Sequence, residues 1–279
     1  SNGYKLPDNV EEEIEALMED REKLLKHQIA GDDLGRFKYV EDDMRIYLDF
    51  LSSTVKKSFK GTKTAEMILL LDKVYKEIEE AENEWMSKCP IKCIDGCGAC
   101  CVHFEPDVYE VEALYLASWL LFHQRERALQ ILEGRFNENV LDKKNGCLLF
   151  DIDNPYHCTV YEGRCLICRL FGYSGDHGKD RSVRWRPCKY LVSMDKNLSA
   201  STIKQYSQED LLNVFGALPP VMSDFSSRIL CFMTEQASHT LPLREALPAA
   251  ISKILMLERY SNNPEFEPDT DPETPPLAS

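Results

Sequence analysis

The chain has 279 residues and a mass of 32.1 kDa, and 43% of its residues are hydrophobic, so it can bury a core without help from a metal. Its formal net charge of −14 at pH 7 argues against a nucleic-acid partner, because nonspecific binders neutralise phosphates with Lys and Arg. The sequence contains no apolar run of about 18 residues, so we expect no membrane partner.

Three helices are predicted ahead of the first cysteine. Asp8 is a candidate cap for a helix that runs to about Ile29, with Glu11 three residues after the cap. A second helix has an apolar face made of Met44, Leu48, Leu51, Val55 and Phe59. A third has apolar residues at steps of four and three, namely Met67, Leu71, Val74, Ile78, Ala81 and Trp85. This stripe predicts packing on the protein's own core, and the alternative is a protein partner bound through residues 64–86.

The cysteines fall into two groups. Five of the eleven follow the third helix within thirteen residues: Cys89, Cys93, Cys97, Cys100 and Cys101. Five more form a second group: Cys147, Cys158, Cys165, Cys168 and Cys188. Soft thiolates at short intervals are how proteins hold zinc or iron–sulfur centres, so the pattern predicts a metal site. An odd total fits poorly with a secreted disulfide scaffold, so we expect a reducing, cytoplasmic location.

A fourth helix and a long irregular segment follow the first group. The helix is predicted to begin at Glu105-Pro106-Asp107, where proline and acids favour a first turn, and to end near Gly134. From residue 145 to 189 the periodicity is lost and Gly, Pro, Asp and Asn are frequent, which predicts loops. So long an irregular segment in a compact domain needs something to hold it, and ligation at its cysteines would do so.

Helical patterns return after the second cysteine group. Ser207 and Asp210 form a capping box at the start of a helix. Two more helices are expected near 223–239 and 243–260, and the first of them would place Cys231 in the core.

These patterns predict a mostly α fold in which helical flanks surround an irregular, loop-built, cysteine-rich metal core. The division we expect has four parts: an N-terminal helical region over 1–88, a metal-binding core over 89–195, a C-terminal helical region over 196–261, and a disordered acidic, proline-rich tail over 262–279. The tail is assigned from its prolines and acids, which leave little apolar surface to bury.

The cysteine-rich segment contains three elements in a fixed order. They are Cys97-Gly-Ala-Cys100-Cys101, then Cys158-Thr-Val-Tyr161-Glu-Gly-Arg164-Cys165-Leu-Ile-Cys168-Arg169, and finally Pro187-Cys188. In this order they resemble the YkgJ-type cysteine-cluster family, described as a zinc- or iron-chelating domain with a CxxCxxCC signature. The resemblance implies metal chelation by eight cysteines: Cys93, Cys97, Cys100, Cys101, Cys147, Cys158, Cys168 and Cys188. Cys165 stands where the family usually has proline, and Cys89 and Cys231 lie outside the pattern.

The number and kind of centres stay open at this point. Cys100 and Cys101 are adjacent, and neighbouring side chains point in different directions, so one tetrahedral ion rarely takes both. Two centres, or one centre with spare cysteines, both fit. Iron–sulfur, as a [4Fe–4S] cluster, is favoured over zinc because the thiolates come from loops far apart in sequence and outnumber the needs of one zinc.

Basic residues are frequent around the second cysteine group. We expect them to offset thiolate charge, and the alternative is an anionic cofactor or substrate that docks beside the metal on Arg164 and Arg169. Three functions fit these observations. The first is a cytoplasmic cysteine-cluster metalloprotein with iron–sulfur or zinc and a redox role, as in an oxidoreductase. The second is a protein-modifying transferase, since the same signature occurs in proteins that resemble flagellin lysine-N-methylase. The third is a binding module with structural zinc.

Overall fold

The computed structural model describes residues 55, 58–92, 97–136, 144–154, 157–188, 192–193, 205–234 and 238–261. The helix predicted over 8–29, most of the second predicted helix, Cys93 and the tail over 262–279 lie outside these residues. Of the second predicted helix, Val55 and Phe59 are described, and both are fully buried.

The described part is mostly helical, which confirms the predicted fold class. Its helices are α1 Lys63–Lys88, α2 Ala99–Val102, α3 Glu110–His123, α4 Arg125–Leu132, α5 Leu166–Leu170, α6 Gln208–Phe215, α7 Met222–Leu230 and α8 Leu243–Ser261. Its strands are β1 Ile91–Lys92, β2 Asp107–Tyr109, β3 Asp176–His177, β4 Val183–Arg184, β5 Val192–Ser193 and β6 Thr240–Pro242. The strands form three two-stranded antiparallel pairs: β1 with β5, β2 with β6, and β3 with β4.

Helix α1 confirms the third predicted helix. It begins after Thr62, whose hydroxyl accepts a hydrogen bond from the Ala65 N–H at 3.1 Å and so caps the first turn. Most of the predicted stripe is buried, with Leu71 and Ile78 fully covered, while Met67 and Ala81 are partly buried against the core. Because this face packs in the chain's own hydrophobic core, the structure does not support the protein partner predicted for residues 64–86.

The helix predicted from Glu105 begins later than expected. Residues 107–109 form β2 instead, and the Pro106 carbonyl accepts a hydrogen bond from the Leu243 N–H at 3.0 Å. Pairing with a strand 130 residues away therefore overrides the local preference for a helix start. The predicted helix also divides at Gln124 into α3 and α4. Almost every residue of α3 from Val111 to Leu121 is buried, which makes it the central helix.

The C-terminal helices partly match the prediction. At α6 the capping box is confirmed, because the Asp210 N–H donates to the Ser207 hydroxyl and the Asp210 carboxylate accepts from the Ser207 N–H, both at 3.1 Å. Helix α7 ends at Leu230 instead of continuing toward 239. Cys231 caps its end and is exposed, so the expectation that it lies in the core is wrong.

The core has two parts. The larger hydrophobic cluster joins side chains from α1, α3, α5, α8 and residues 147–150. A smaller aromatic cluster lies at the C-terminal end of α1, where the Trp85 and Trp185 rings pack edge to face with centroids 5.2 Å apart. The larger cluster contains residues from the predicted regions 1–88, 89–195 and 196–261. The boundaries between these regions remain a prediction. No helix within the described ranges is long and apolar enough to cross a membrane.

Candidate metal centre

A cavity of about 310 Å³ lies between α1, α2, α3 and the loops of the cysteine-rich segment. Seven cysteines line it: Cys97, Cys100, Cys101, Cys147, Cys158, Cys165 and Cys168. Six of them belong to the predicted ligand set, and the seventh is Cys165. Of the other two predicted ligands, Cys93 lies outside the described residues, and Cys188 is half-buried and is not part of the cavity lining. The structure therefore gathers most of the predicted ligands around one space.

Gly98 positions the first cysteine group. It caps the short helix α2 with a φ of 58°, a left-handed conformation that favours glycine, and its carbonyl accepts from the Cys101 N–H at 2.8 Å. A Cβ at this position would lie 2.6 Å from the His157 Cβ. His157 is itself buried and stacks on Phe150 with ring centroids 5.6 Å apart. The glycine is thus required for the turn and for close packing on the histidine.

Cys100 and Cys101 face the same cavity. Their Sγ atoms lie 3.7 Å apart, so the two side chains do not point apart as was predicted for adjacent residues. The two residues are about 100° apart around the short helix α2, and their side chains turn so that the two sulfurs lie close together. The hydrogen bond between them lowers the pKa of Cys100, while the same bond together with burial raises the pKa of Cys101 well above its usual range.

The two cysteine groups are joined by backbone hydrogen bonds. The Cys147 N–H donates to the Cys101 carbonyl at 2.9 Å, which ties the start of the second group to α2. The chain then doubles back, and an antiparallel bridge between Phe150 and Cys158 brings Cys158 to the cavity. Burial, together with the charge of Cys158, raises the pKa of Cys147 to about 12.

The third contribution comes from α5. Cys165 precedes this helix and Cys168 lies within it, and both line the cavity. Burial raises the pKa of Cys168 well above its usual range, and the neighbouring Cys147 and Cys158 thiols add to the effect. Burial and the Glu112 carboxylate do the same for Cys165. Burial and neighbouring thiols thus disfavour ionisation of Cys101, Cys147 and Cys168, and a bound cation would reverse that because thiolates are the ligating form.

Two predicted cofactor-binding arginines line the same cavity. The Arg164 guanidinium lies 3.6 Å from the Tyr161 ring centroid, and its charge partly offsets the effect of burial on the pKa of Cys158. Arg169 donates from Nε to the Arg164 carbonyl at 2.8 Å and stacks 4.1 Å from the Tyr75 ring centroid. Both arginines therefore hold loop structure around the thiols, and Arg164 also supplies positive charge near Cys158.

Other charged residues near the thiols were not found by sequence reasoning. Arg127 on α4 is half-buried and interacts electrostatically with Asp151, Cys158 and Cys147. Glu82 on α1 lines the cavity, and burial raises its pKa from 4.5 to about 7. Arg127 and Glu82 each lie on a helix that has several other charged residues, so the local sequence does not single out either one as a residue near the thiols.

The donor set fits a thiophilic metal. The seven sulfur atoms in the cavity wall all belong to cysteine side chains, the sulfur ligands that zinc and iron–sulfur centres use. Within the part of the chain that the structure describes, no group of three or more His, Cys, Asp or Glu side chains is already spaced to hold one metal ion.

Comparison with known families agrees with this arrangement. Residues 92–189 match the model of the CxxCxxCC domain. That domain is described as a "Putative zinc- or iron-chelating domain", and the match confirms the resemblance inferred from the cysteine elements. The match spans the two cysteine groups from Lys92 onward, including the cavity-lining thiols. It supports zinc or iron chelation by this segment.

Whole-protein comparisons give short matches to a different class of protein. The chain is 44% identical over 61 residues to a phosphoglucosamine mutase of Fusobacterium nucleatum subsp. nucleatum, which is 22% of this chain and 14% of the mutase. It is 44% identical over 62 residues to a phosphoglucosamine mutase of Desulforamulus reducens, again 22% of this chain and 14% of that protein. The chain thus spans about 14% of the length of these curated relatives. No solved structure matches it.

Gly98→Ala tests the turn that presents the first cysteine group. We expect a loss of bound metal and a fall in stability, because the new Cβ is strained by about 1–2 kcal/mol and also meets His157. Gly134→Ala is the matched control, since Gly134 has a φ of 76° and nothing within 4 Å of its Cβ position. Metal content and thermal unfolding check both variants. Equal metal content in the two would contradict the role of Gly98.

Cys165 and Cys168 test the predicted ligand set. We expect Cys168→Ser to lose the centre, as Cys97→Ser and Cys100→Ser also should, whereas Cys165→Ser retains it because the family resemblance excludes that position. Cys231→Ser is the control, since this residue is exposed at the end of α7. Metal per chain after gel filtration is the measurement. A loss at Cys165→Ser as large as that at Cys168→Ser would mean that this chain uses a different set.

Glu82 predicts a pH dependence of the metal-free protein. Its folded pKa of about 7 lies above its usual 4.5, because burial outweighs the attraction of Arg164 and Arg169. The contribution of the Glu82 carboxyl to the free energy of unfolding is therefore fully present below its unfolded pKa of 4.5. It is lost as pH rises through the folded pKa of about 7.

Glu82→Gln should remove this loss, because the amide stays neutral. The variant should gain up to roughly 3 kcal/mol over the wild type between about pH 5 and about pH 8, measured by urea unfolding. Glu80→Gln, at an exposed position of the same helix, should show no such gain. An unchanged pH slope in Glu82→Gln would refute the assignment.

Proposed function

We propose that this chain is a metalloprotein that holds an iron–sulfur cluster, of the [4Fe–4S] type, in the cysteine-lined cavity. The observation that carries the proposal is one cavity of about 310 Å³ walled by seven thiols from three segments of the chain. Such a cluster needs four thiolates. We infer that they come from the eight predicted ligands, six of which line the cavity and two of which, Cys93 and Cys188, flank it in sequence.

The volume of the cavity favours a polynuclear group over a single ion. A structural zinc site is closed, because four ligands at about 2.0–2.3 Å leave no space between them and the metal. The cavity volume of about 310 Å³ is many times the roughly 10–15 Å³ that one water molecule needs on the same measure. A space of this size is suited to a centre made of several atoms.

The surroundings of the thiols also suit a buried anionic centre. Arg164 and Arg127 supply positive charge near Cys158, from the loop side and from α4 respectively. The rest of the wall is largely apolar and includes Leu116 and Leu149, so these charges act at low dielectric. We infer that the two arginines stabilise the thiolates of a loaded centre.

A redox role follows from the same proposal. One-electron transfer is the chemistry that an iron–sulfur cluster supplies. The cavity lining includes Phe104 and Phe171, which are 37% and 38% exposed and whose ring centroids lie 6.1 Å apart. This aromatic edge brings the cavity to the protein surface. We propose that a redox partner approaches there.

A second candidate is a chelator of a single zinc ion. It is favoured by the distance of 3.7 Å between the Sγ atoms of Cys100 and Cys101. Zn–S bonds of about 2.3 Å in a tetrahedral site place two sulfurs about 3.8 Å apart. The adjacent cysteines therefore have the spacing of two thiolates on one ion. Under this candidate the centre is structural and has no redox role.

Anaerobic purification with iron, zinc and acid-labile sulfide analysis separates the two. We expect iron and sulfide in comparable amounts, with broad visible absorption from thiolate-to-iron charge transfer, and both should be lost in Cys168→Ser but kept in Cys231→Ser. Stoichiometric zinc with neither iron nor sulfide would overturn the iron–sulfur proposal and favour the second candidate.

A further inference from the structure

Glu112 is a buried carboxyl that the proposed function does not itself use. It lies on the central helix α3 and is only 3% exposed. Its Oε1 accepts hydrogen bonds from the Tyr75 hydroxyl at 3.0 Å and from the Leu166 N–H at 2.5 Å, and its Oε2 accepts from the Tyr109 N–H at 3.0 Å. Three donors thus converge on one side chain in the core.

The three donors belong to three different parts of the fold. Tyr75 is on α1, and Tyr109 immediately precedes α3. Leu166 is the first residue of α5, the helix that contains Cys168. The Glu112 carboxylate therefore fastens the ligand-bearing helix to the two scaffold helices, through a backbone N–H that a short helix leaves without an internal partner.

A second contact fastens the other side of Cys168. The next residue, Arg169, stacks on the ring of the same Tyr75 whose hydroxyl donates to Glu112. Its Nε also donates to the Arg164 carbonyl, which holds the preceding loop. Cys168 therefore lies between two residues held in place, Leu166 and Arg169. Leu166 is connected to Tyr75 through Glu112, and Arg169 contacts the Tyr75 ring directly.

Burial of the Glu112 carboxyl is unusual for a residue that serves only the stability of the fold. Burying a carboxyl is unfavourable unless hydrogen bonds satisfy it, and apolar residues of similar size often stabilise a core as well or better. Burial raises the pKa of Glu112, and its hydrogen bonds and Arg169 oppose that shift. A polar clamp at this position therefore offers geometric precision in place of additional apolar packing.

We propose that Glu112, together with Tyr75, is a positioning residue for the metal centre: it fixes α5 so that Cys168 is presented to the cavity before the metal binds. The inference rests on the proposed metal-binding function and adds the means by which one ligand is preorganised. A ligand that is already ordered loses less conformational entropy on binding. Groups that orient metal ligands typically contribute about 10–100-fold in metal affinity.

Two variants and one matched control test the proposal in the full-length, anaerobically purified protein. Glu112→Gln keeps the size of the side chain but turns an NH₂ donor toward one of its three donors. Tyr75→Phe removes the hydroxyl and keeps the ring that Arg169 contacts. Glu110→Gln is the control, because Glu110 lies two residues away on α3, is exposed, and pairs with Lys253 at 2.7 Å.

The measurement is the rate at which excess EDTA removes the metal, followed together with the visible absorption spectrum. We expect metal loss about tenfold faster or more in Glu112→Gln, a smaller increase in Tyr75→Phe, and no change in Glu110→Gln. The spectrum of the loaded Glu112→Gln protein should shift, because Cys168 is less well placed. The effects of Glu112→Gln and Tyr75→Phe should be non-additive, since both act through one network.

The contrary outcomes separate the two proposals. Metal loss at the wild-type rate with an unchanged spectrum in both variants, even with a lower unfolding midpoint of the metal-free protein, would reduce Glu112 to a structural role and overturn the inference. If Glu112→Gln does not fold, Tyr75→Phe decides by the same criteria. A wild-type protein that holds neither iron nor zinc would instead refute the proposed function.

Discussion

Mutual burial of thiols is the constraint on which the rest of this structure depends. Burial raises the pKa of Cys147, Cys158 and Cys168, and the bond with Cys100 together with burial raises the pKa of Cys101. The nearby Cys147 and Cys158 add to the shifts of Cys101 and Cys168. A chain gains little from gathering so many ionisable groups in one cavity unless a cation binds there. A thiophilic metal would thus stabilise the thiolates in this cavity, whereas without a metal their ionisation is unfavourable.

The helical scaffold serves this cavity in a consistent way. Helix α3 is buried almost throughout, so it can anchor loops on several sides, and its one buried carboxyl, Glu112, is directed to the segment that contains Cys168. The first cysteine group is held by the turn at Gly98, and the second is joined to it by the hydrogen bond from Cys147 to Cys101. Regular helices thus fix an irregular segment that has little periodic apolar pattern of its own.

Sequence reasoning recovered the features that local pattern determines. The stripe of α1, the capping box at Ser207 and the mostly helical class follow from spacing and side-chain chemistry, and the cysteine elements indicated the chelating domain before the fold was known. Features set by distant partners were missed. The segment 107–109 became a strand because it pairs with 240–242, and Cys231 is exposed because α7 ends earlier than its apolar pattern suggested.

The same limit applies to the site. Adjacent side chains were expected to point in different directions, yet within the four-residue helix α2 the Sγ atoms of Cys100 and Cys101 lie 3.7 Å apart. Arg127 is 20 positions before Cys147 and Glu112 is 53 positions before Cys165, so neither residue belongs to a cysteine motif. Fold and ligand type were therefore readable from the chain, whereas the charges and clamps around the ligands required the three-dimensional arrangement.

X-ray absorption at the K edge of the bound metal, recorded on the anaerobically purified full-length protein, tests most directly whether the cavity holds a polynuclear centre. The account predicts iron with sulfur neighbours in the first shell and further iron neighbours in the second, as a cluster requires. A single metal ion with sulfur, or sulfur and nitrogen, in the first shell and no metal neighbour would contradict it.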